Sequence, residues 1–219
     1  MGPLDAPVHV RVARTAADWE AVRTLCCRTG NLGNPIDPAR WPLFAELWIG
    51  PYQRLVPEWT YVAETEDQIV GYLTGCPDSA AFQHARRFRV TLRLLIGIAC
   101  GRYGWTVDAR RTVRLALRLT RGVESHLAPR LPAAFAETYP AHLHMNVAAE
   151  YRRRGIGTVL IERYARDLGA ARVPGIHLFC GSEPRPFYAR HSFADLASLD
   201  VSPGRWVYVM GRRLDGPAG

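Results

Sequence analysis

The chain has 219 residues, 48% of them apolar, and a formal charge of +8, enough to bury a full core in one domain with an elaboration. Its five cysteines (26, 27, 76, 100 and 180) are odd in number and form no C-x-x-C pair, which argues against a disulfide framework and a zinc ribbon. The N-terminus lacks a basic-then-apolar signal segment, and the longest apolar stretch, Leu94 to Cys100, is too short to cross a bilayer. The expectation is a cytoplasmic protein without membrane association.

The charge is concentrated. Between Ala85 and Arg121 lie ten arginines and one acid, Asp108, so this segment carries +9 and the remainder of the chain sums to −1.

In chain order, Val8–Arg14 alternates like a strand. Thr15 or Asp18 can cap a helix running through Trp19, Val22, Leu25 and Cys26 to Gly30, which the loop to Pro35 ends. A short helix is predicted over Pro42–Ile49, with proline in its first turn. Thr60–Thr65 and Gln68–Gly75 read as a hairpin about Glu66-Asp67. After the arginine-rich stretch, a short helix is predicted near Ala133–Thr138, then a strand over Ala141–Ala148. A helix over Thr158–Gly169, a buried strand Gly175–Cys180, a short helix Pro186–Phe193 and a final strand Arg205–Gly211 complete the chain. The order β-α-α-β-β-insert-β-α-β-α-β predicts a mixed α/β sheet.

Within the arginine-rich stretch, Arg110, Arg114, Arg118 and Arg121 fall along one helical stripe. Such a stripe can dock nucleic acid or an acidic substrate. Aromatic interleaving is sparse, however, and charge runs on helices are usually solvated faces, so nucleic acid is disfavoured.

The most informative stretch is Tyr151-Arg-Arg-Arg-Gly-Ile-Gly-Thr158, placed between a strand and a helix. Glycines allow a tight turn and close approach of main chain to a ligand. The first N–H groups of the following helix have no intrahelical partner and sit at the positive end of its dipole, which suits a phosphate. A Walker loop would need a lysine after the second glycine, and a dinucleotide fingerprint a third glycine; neither is present.

What remains, R-x-x-G-x-G from Arg152 to Gly157, resembles the acetyl-CoA signature of the GCN5-related N-acetyltransferases (GNAT). The element order matches that family, and Phe187-Tyr188-Ala-Arg-His-Ser-Phe193 is similar to its F-Y-x-x-x-G-F helix, with Ser192 in place of glycine. Cys27–Gly33 and Tyr139–Met145 resemble a bacterial subgroup related to the acetyltransferase-like domain of O-GlcNAcases. The resemblance spans about Val8–Leu214 as a single domain; an insertion at about 80–128 matches nothing.

The resemblance implies a mostly antiparallel central sheet flanked by helices, here with a basic helical insertion. It also implies an acetyl-CoA-dependent transferase acting on a small-molecule or peptide amine by direct attack on the thioester. Cofactor binding then falls to Asn146, Val147 and Ala148 along the pantetheine arm, and to Arg152, Arg153, Arg154, Gly155, Ile156, Gly157 and Thr158 around the diphosphate. Tyr188 corresponds to the tyrosine beside the sulfur, and a phenol is protonated at neutral pH; the alternative is a core tyrosine. Period-two alternation puts His142, His144 and Asn146 on one strand face. His144 can serve as general base or simply as a satisfied polar residue, and Glu183 is a second candidate base on an exposed loop. No acid or cysteine flanks the two histidines in sequence, so no metal is assigned.

Three departures stand out. Asn146 replaces the subgroup's aspartate and cannot act as a base. Gly181 replaces a cofactor-contacting asparagine, with Ser182 as its substitute. Ser192 replaces the helix glycine. These keep open an alternative: an inactive acyl-CoA-binding or partner-binding module on the same fold. Monomer and homodimer both stay open.

Overall fold

The computed structural model describes residues 7–31, 33–66, 68–86, 96–97, 100, 130–202 and 204–214. The arginine stripe at 110–121 lies outside the described residues, as does most of the insertion. β1 (His9–Val12) leads to α1 (Ala16–Thr29), α2 (Trp41–Trp48) and α3 (Gly50–Leu55), then the hairpin β2 (Thr60–Thr65) and β3 (Gln68–Cys76). After α4 (Ser79–Ala85) the described chain resumes with α5 (Phe135–Thr138), β4 (Ala141–Val147), α6 (Ile156–Ala170) and β5 (Gly175–Cys180). α7 (Arg185–Ala189), β6 (Ala194–Ser202) and β7 (Arg205–Arg213) close it.

The sheet has seven strands in the order β1-β2-β3-β4-β5-β7-β6. Every neighbouring pair is antiparallel except β4–β5. The mixed, mostly antiparallel α/β sheet expected from the resemblance is therefore the observed one.

Local chemistry sets the helix starts. Thr15 Oγ1 accepts from the Asp18 N–H (3.1 Å) and Asp18 answers by accepting from Thr15 N–H (3.0 Å), a closed capping box for α1. Asp18 also takes both terminal nitrogens of Arg11 at 2.8 Å, which fastens α1 to β1.

Each sheet face buries its own core. On one side α6 inserts Leu160, Ile161, Tyr164 and Leu168 against Leu73, Ile176 and Met210. On the other, α1 and α2 place Trp19, Val22, Leu25 and Phe44 over Val62 and Tyr72. Full burial of one such side chain contributes about 1.5–3 kcal/mol, so the sheet is clamped from both faces.

The strand β6 was not expected from the sequence, nor were α3 and α4. In β6, register shifts between Asp195 and Ala197 and between Asp200 and Ser202 break the period-two pattern, leaving Leu196, Leu199 and Val201 at irregular spacing. α3 begins with Gly50-Pro51, which reads as a breaker, but proline fits a first helical turn.

Candidate active site

β4 and β5 are joined by only two rungs, Ala141 with Ile176 and His142 with His177. Beyond these, among the described residues, no ladder links them, although β4 runs on to Val147 and β5 to Cys180. The strands diverge and leave a cleft inside the sheet. β3 holds the outer edge of β4 through register partners from Cys76–His142 to Gly71–Val147, and Ala148 N–H donates to Val70 O (2.9 Å). Antiparallel alternation turns the main-chain groups of His144, Asn146 and Ala148 toward β3, and those of Leu143, Met145 and Val147 toward the cleft. Of the three strand positions assigned to the cofactor arm, only Val147 aims main chain at the cleft; Met145 joins it.

The cleft opens onto the turn before α6. Gly155 has φ +82°, and a Cβ built there would meet nothing within 4 Å. Gly157 differs: a Cβ would lie 2.8 Å from Phe187 Cζ, so the absence of a side chain here makes room for the Phe187 ring against the helix. Among the described residues, no side chain caps α6. Its first internal bond is Val159 N–H to Gly155 O (3.1 Å), which leaves the N–H groups of Ile156, Gly157 and Thr158 without an intrahelical partner. An uncapped helix start beside open space is a fitting cradle for a phosphate.

The three arginines separate. Arg152 is engaged by the protein itself, donating from Nη2 to Gly33 O (2.8 Å) and from Nε to Val147 O (3.2 Å), so its guanidinium ties the turn to the α1–α2 loop. Arg153 is exposed, with φ 61°. Arg154 lies over the Tyr151 ring at 5.4 Å, and its Nε is sealed from solvent without a partner. Thr158 Oγ1 lies 3.2 Å from His191 Nε2.

On the β4 face toward α2 and α3, His142 sits in a determined network. Ser79 Oγ donates to Pro140 O (2.7 Å), so it accepts from His142 Nδ1–H (2.8 Å). Nε2 is then the acceptor for Tyr52 Oη–H at 2.7 Å. Burial, with smaller contributions from the neighbouring His177, Arg86 and His144, lowers the His142 pKa to about 3. Asn146 Nδ2 donates to Tyr72 Oη (2.8 Å) and to His144 Nε2 (3.0 Å), which consumes the lone pair a general base would use. Burial holds His144 at about 4. His177 donates from Nδ1 to Tyr139 O (2.7 Å), and burial lowers its pKa too. All three imidazoles are neutral at physiological pH.

Tyr188 is 7% exposed and packs against Phe187 and Phe193. Burial, then the nearby Cys180, pushes its phenol well above the usual range, so it stays protonated and keeps a hydrogen to donate. Ser182 and Glu183 are exposed on the turn leading into α7. Ser192 keeps the left-handed backbone, φ 63°, that glycine would adopt freely. The rings of Trp48, Tyr52, Tyr72 and Phe179 beside the polar face were not anticipated; they come from elements far apart in the chain, and the period-two alternation of β5 signalled only Phe179.

No family model matches the chain. Its architecture is nonetheless shared with solved structures. SsHAT superposes with a TM-score of 0.73 at 29% identity, over 95% of this chain and 98% of that one. Ard1 from Thermoplasma volcanium (TM-score 0.55, 14% identity, 95% and 98% of the chains) has the same fold. So does an N-acetyltransferase from Staphylococcus aureus Mu50 (0.56, 12%, 95% and 99%). The chain therefore has the fold of the GNAT superfamily, the one the R-x-x-G-x-G run from Arg152 to Gly157 led us to expect.

Proposed function

We propose that the protein is an acetyl-CoA-dependent N-acetyltransferase acting on an amine by direct attack. The observation that carries this reading is the continuity of the cleft edge at Met145 and Val147 with the free N–H groups of Ile156, Gly157 and Thr158. The strand edge suits the amides of a pantetheine arm, and the helix start suits the diphosphate. Acetyl-CoA supplies an activated acetyl thioester. The chain orients it along the cleft, and Tyr188, protonated and buried, donates to the sulfur as it leaves. Ser182 borders the cleft mouth. The base role first assigned to His144 requires Asn146 to release its Nε2, so Glu183 or water takes the proton in the arrangement described.

That engagement of His144 also favours a second reading, an acyl-CoA-binding module without turnover. Both predict a thermal shift on adding acetyl-CoA, because a ligand bound only by the folded state stabilises it. Only the enzyme releases thiol from acetyl-CoA with an amine panel. Tyr188→Phe should slow that release about 10- to 100-fold while leaving the thermal shift in place. If acetyl-CoA gives no shift, both readings fall.

A further inference from the structure

The face of β4 that borders the cleft is unusual in what it offers a second substrate. Trp48 stacks on His144 with centroids 6.4 Å apart, and Tyr52 and Phe82 pack against His142 at 5.7 and 5.4 Å. Across the cleft, His177 meets Phe179 edge-on at 5.9 Å. Phe179 is 44% exposed whereas His177 is 7% exposed, so the wall ends in an open ring at the β5 side. The polar atoms of this wall satisfy one another: Tyr52 Oη with His142, and Tyr72 Oη with Asn146, whose amide also binds His144. What is left to face a ligand is ring surface.

Among the described residues, the strand positions of this wall also carry no negative charge. The strand residues sharing this face are Tyr72, Thr74 and Cys76 on β3, His142, His144 and Asn146 on β4, and His177 and Phe179 on β5. From the helices, Glu46 of α2 is bonded to Arg23 and Arg54, and Asp78 caps α4 by accepting from Ala81 N–H. Among the described residues, the field of Arg86 reaches both Tyr52 and His142. Burial strong enough to keep three imidazoles neutral would penalise an ammonium ion equally. Among the described residues, a cationic acceptor would find no carboxylate on the wall itself, Glu183 standing on the exposed turn beyond β5, and no histidine free to deprotonate it.

We propose that the acceptor is an arylamine, a flat aromatic amine whose nitrogen is uncharged at neutral pH, held between Trp48 and Phe179 at the mouth of the β4–β5 cleft. The inference rests on the acetyl-transfer reading above. The amine nitrogen uses its lone pair to form a C–N bond to the thioester carbonyl carbon, and the C–S bond breaks. The nitrogen loses one proton and the departing sulfur gains one, through Tyr188 or water, giving an N-aryl acetamide and free thiol. No resident base is needed to create the nucleophile, which matches the engaged state of His144.

The test is thiol release from acetyl-CoA by the full chain with aniline, 4-methoxyaniline, benzylamine, spermidine and a lysine peptide, from pH 6 to 9, with a thermal shift for acetyl-CoA in parallel. Expected is a kcat/KM for the anilines at least about 10-fold above the cationic amines at pH 7, with no rise toward high pH. Phe179→Leu and Trp48→Leu should each raise KM for aniline severalfold and leave the acetyl-CoA shift unchanged. If spermidine, benzylamine or the peptide matches or exceeds the anilines, the arylamine inference is overturned while acetyl transfer stands. If acetyl-CoA shifts the melt but no amine is acetylated, the acceptor inference also fails and the binding module is favoured. If acetyl-CoA gives no shift, both fall together.

Discussion

Replacing Gly157 by alanine tests whether the two glycines of the turn answer different physical demands. The new methyl would sit 2.8 Å from Phe187 Cζ and 3.3 Å from Met145 Cε, where carbon atoms prefer about 3.5–4.0 Å. The ring has little freedom to withdraw, because it packs on Tyr188 (centroids 5.3 Å apart) and on His191 (4.7 Å). Overpacking of this kind costs about 1–3 kcal/mol. Alanine returns at most about 1 kcal/mol through helix propensity. The balance is a loss of about 1–2 kcal/mol, or ~2–8 °C in Tm for a chain of this size. Gly155→Ala is the contrasting case, since nothing lies within 4 Å of the added carbon but φ is +82°; the left-handed backbone alone costs about 1–2 kcal/mol. Asparagine tolerates that backbone, so Gly155→Asn should melt above Gly155→Ala. At 157 the larger side chain can only worsen the clash, so Gly157→Asn should melt below Gly157→Ala. Thermal and urea unfolding of the four variants decides the matter. A Gly157→Ala protein as stable as the parent, or the same asparagine response at both positions, refutes the assignment.

Other substitutions probe the frame around the cleft. Ser192→Gly relieves a left-handed serine on an exposed turn and should raise stability by about 1 kcal/mol; an unchanged or lower urea midpoint contradicts that. The Arg11 guanidinium, followed by the N–H groups of Arg14 and Thr15, holds the Asp18 carboxyl well below the usual carboxylate range, against a smaller opposing effect of burial. A depressed folded pKa contributes stability that is complete above the unfolded value of about 3.9 and lost as pH falls further. Asp18→Asn should therefore cost about 2–4 kcal/mol at pH 7 and show a smaller Tm loss than the parent between pH 5 and 3. Equal acid sensitivity in parent and variant would refute the assignment. Arg152→Lys gives up the forked contact with Gly33 O and Val147 O. It should lower stability by about 1–2 kcal/mol, read as a reduced urea midpoint; a midpoint equal to the parent's would mean the tie carries no stability.

The sequence made much of this frame readable because its signals are local. Thr15 and Asp18 announced α1 through capping chemistry, and the alternation of Ala141–Val147 announced β4 and its polar face. The turn at Arg152–Thr158 was legible as a strand-to-helix junction. What local pattern could not supply was partnership. That Arg152 ties the turn to Gly33, 119 residues away, is invisible in the turn's own sequence. Nothing in the turn itself says that Gly157 must also leave room for the Phe187 ring, 30 residues further on. His144 reads as a base until Asn146 occupies its lone pair. β6 stayed hidden because two bulges spoil the alternation by which a half-buried strand is recognised.

The two-rung junction between β4 and β5 has a further consequence. A sheet ordinarily carries its unpaired edges at its margins, where another protein's strand can dock and seed aggregation. Here an additional pair of unpaired edges lies in the interior, facing each other across a wedge that closes at Ala141 and His142. A foreign strand cannot enter without prying apart a sheet clamped by helices on both faces, yet a single thin, amide-bearing chain can thread it lengthwise. The protein thus keeps strand-like adhesiveness available to a slender ligand while denying it to other polypeptides.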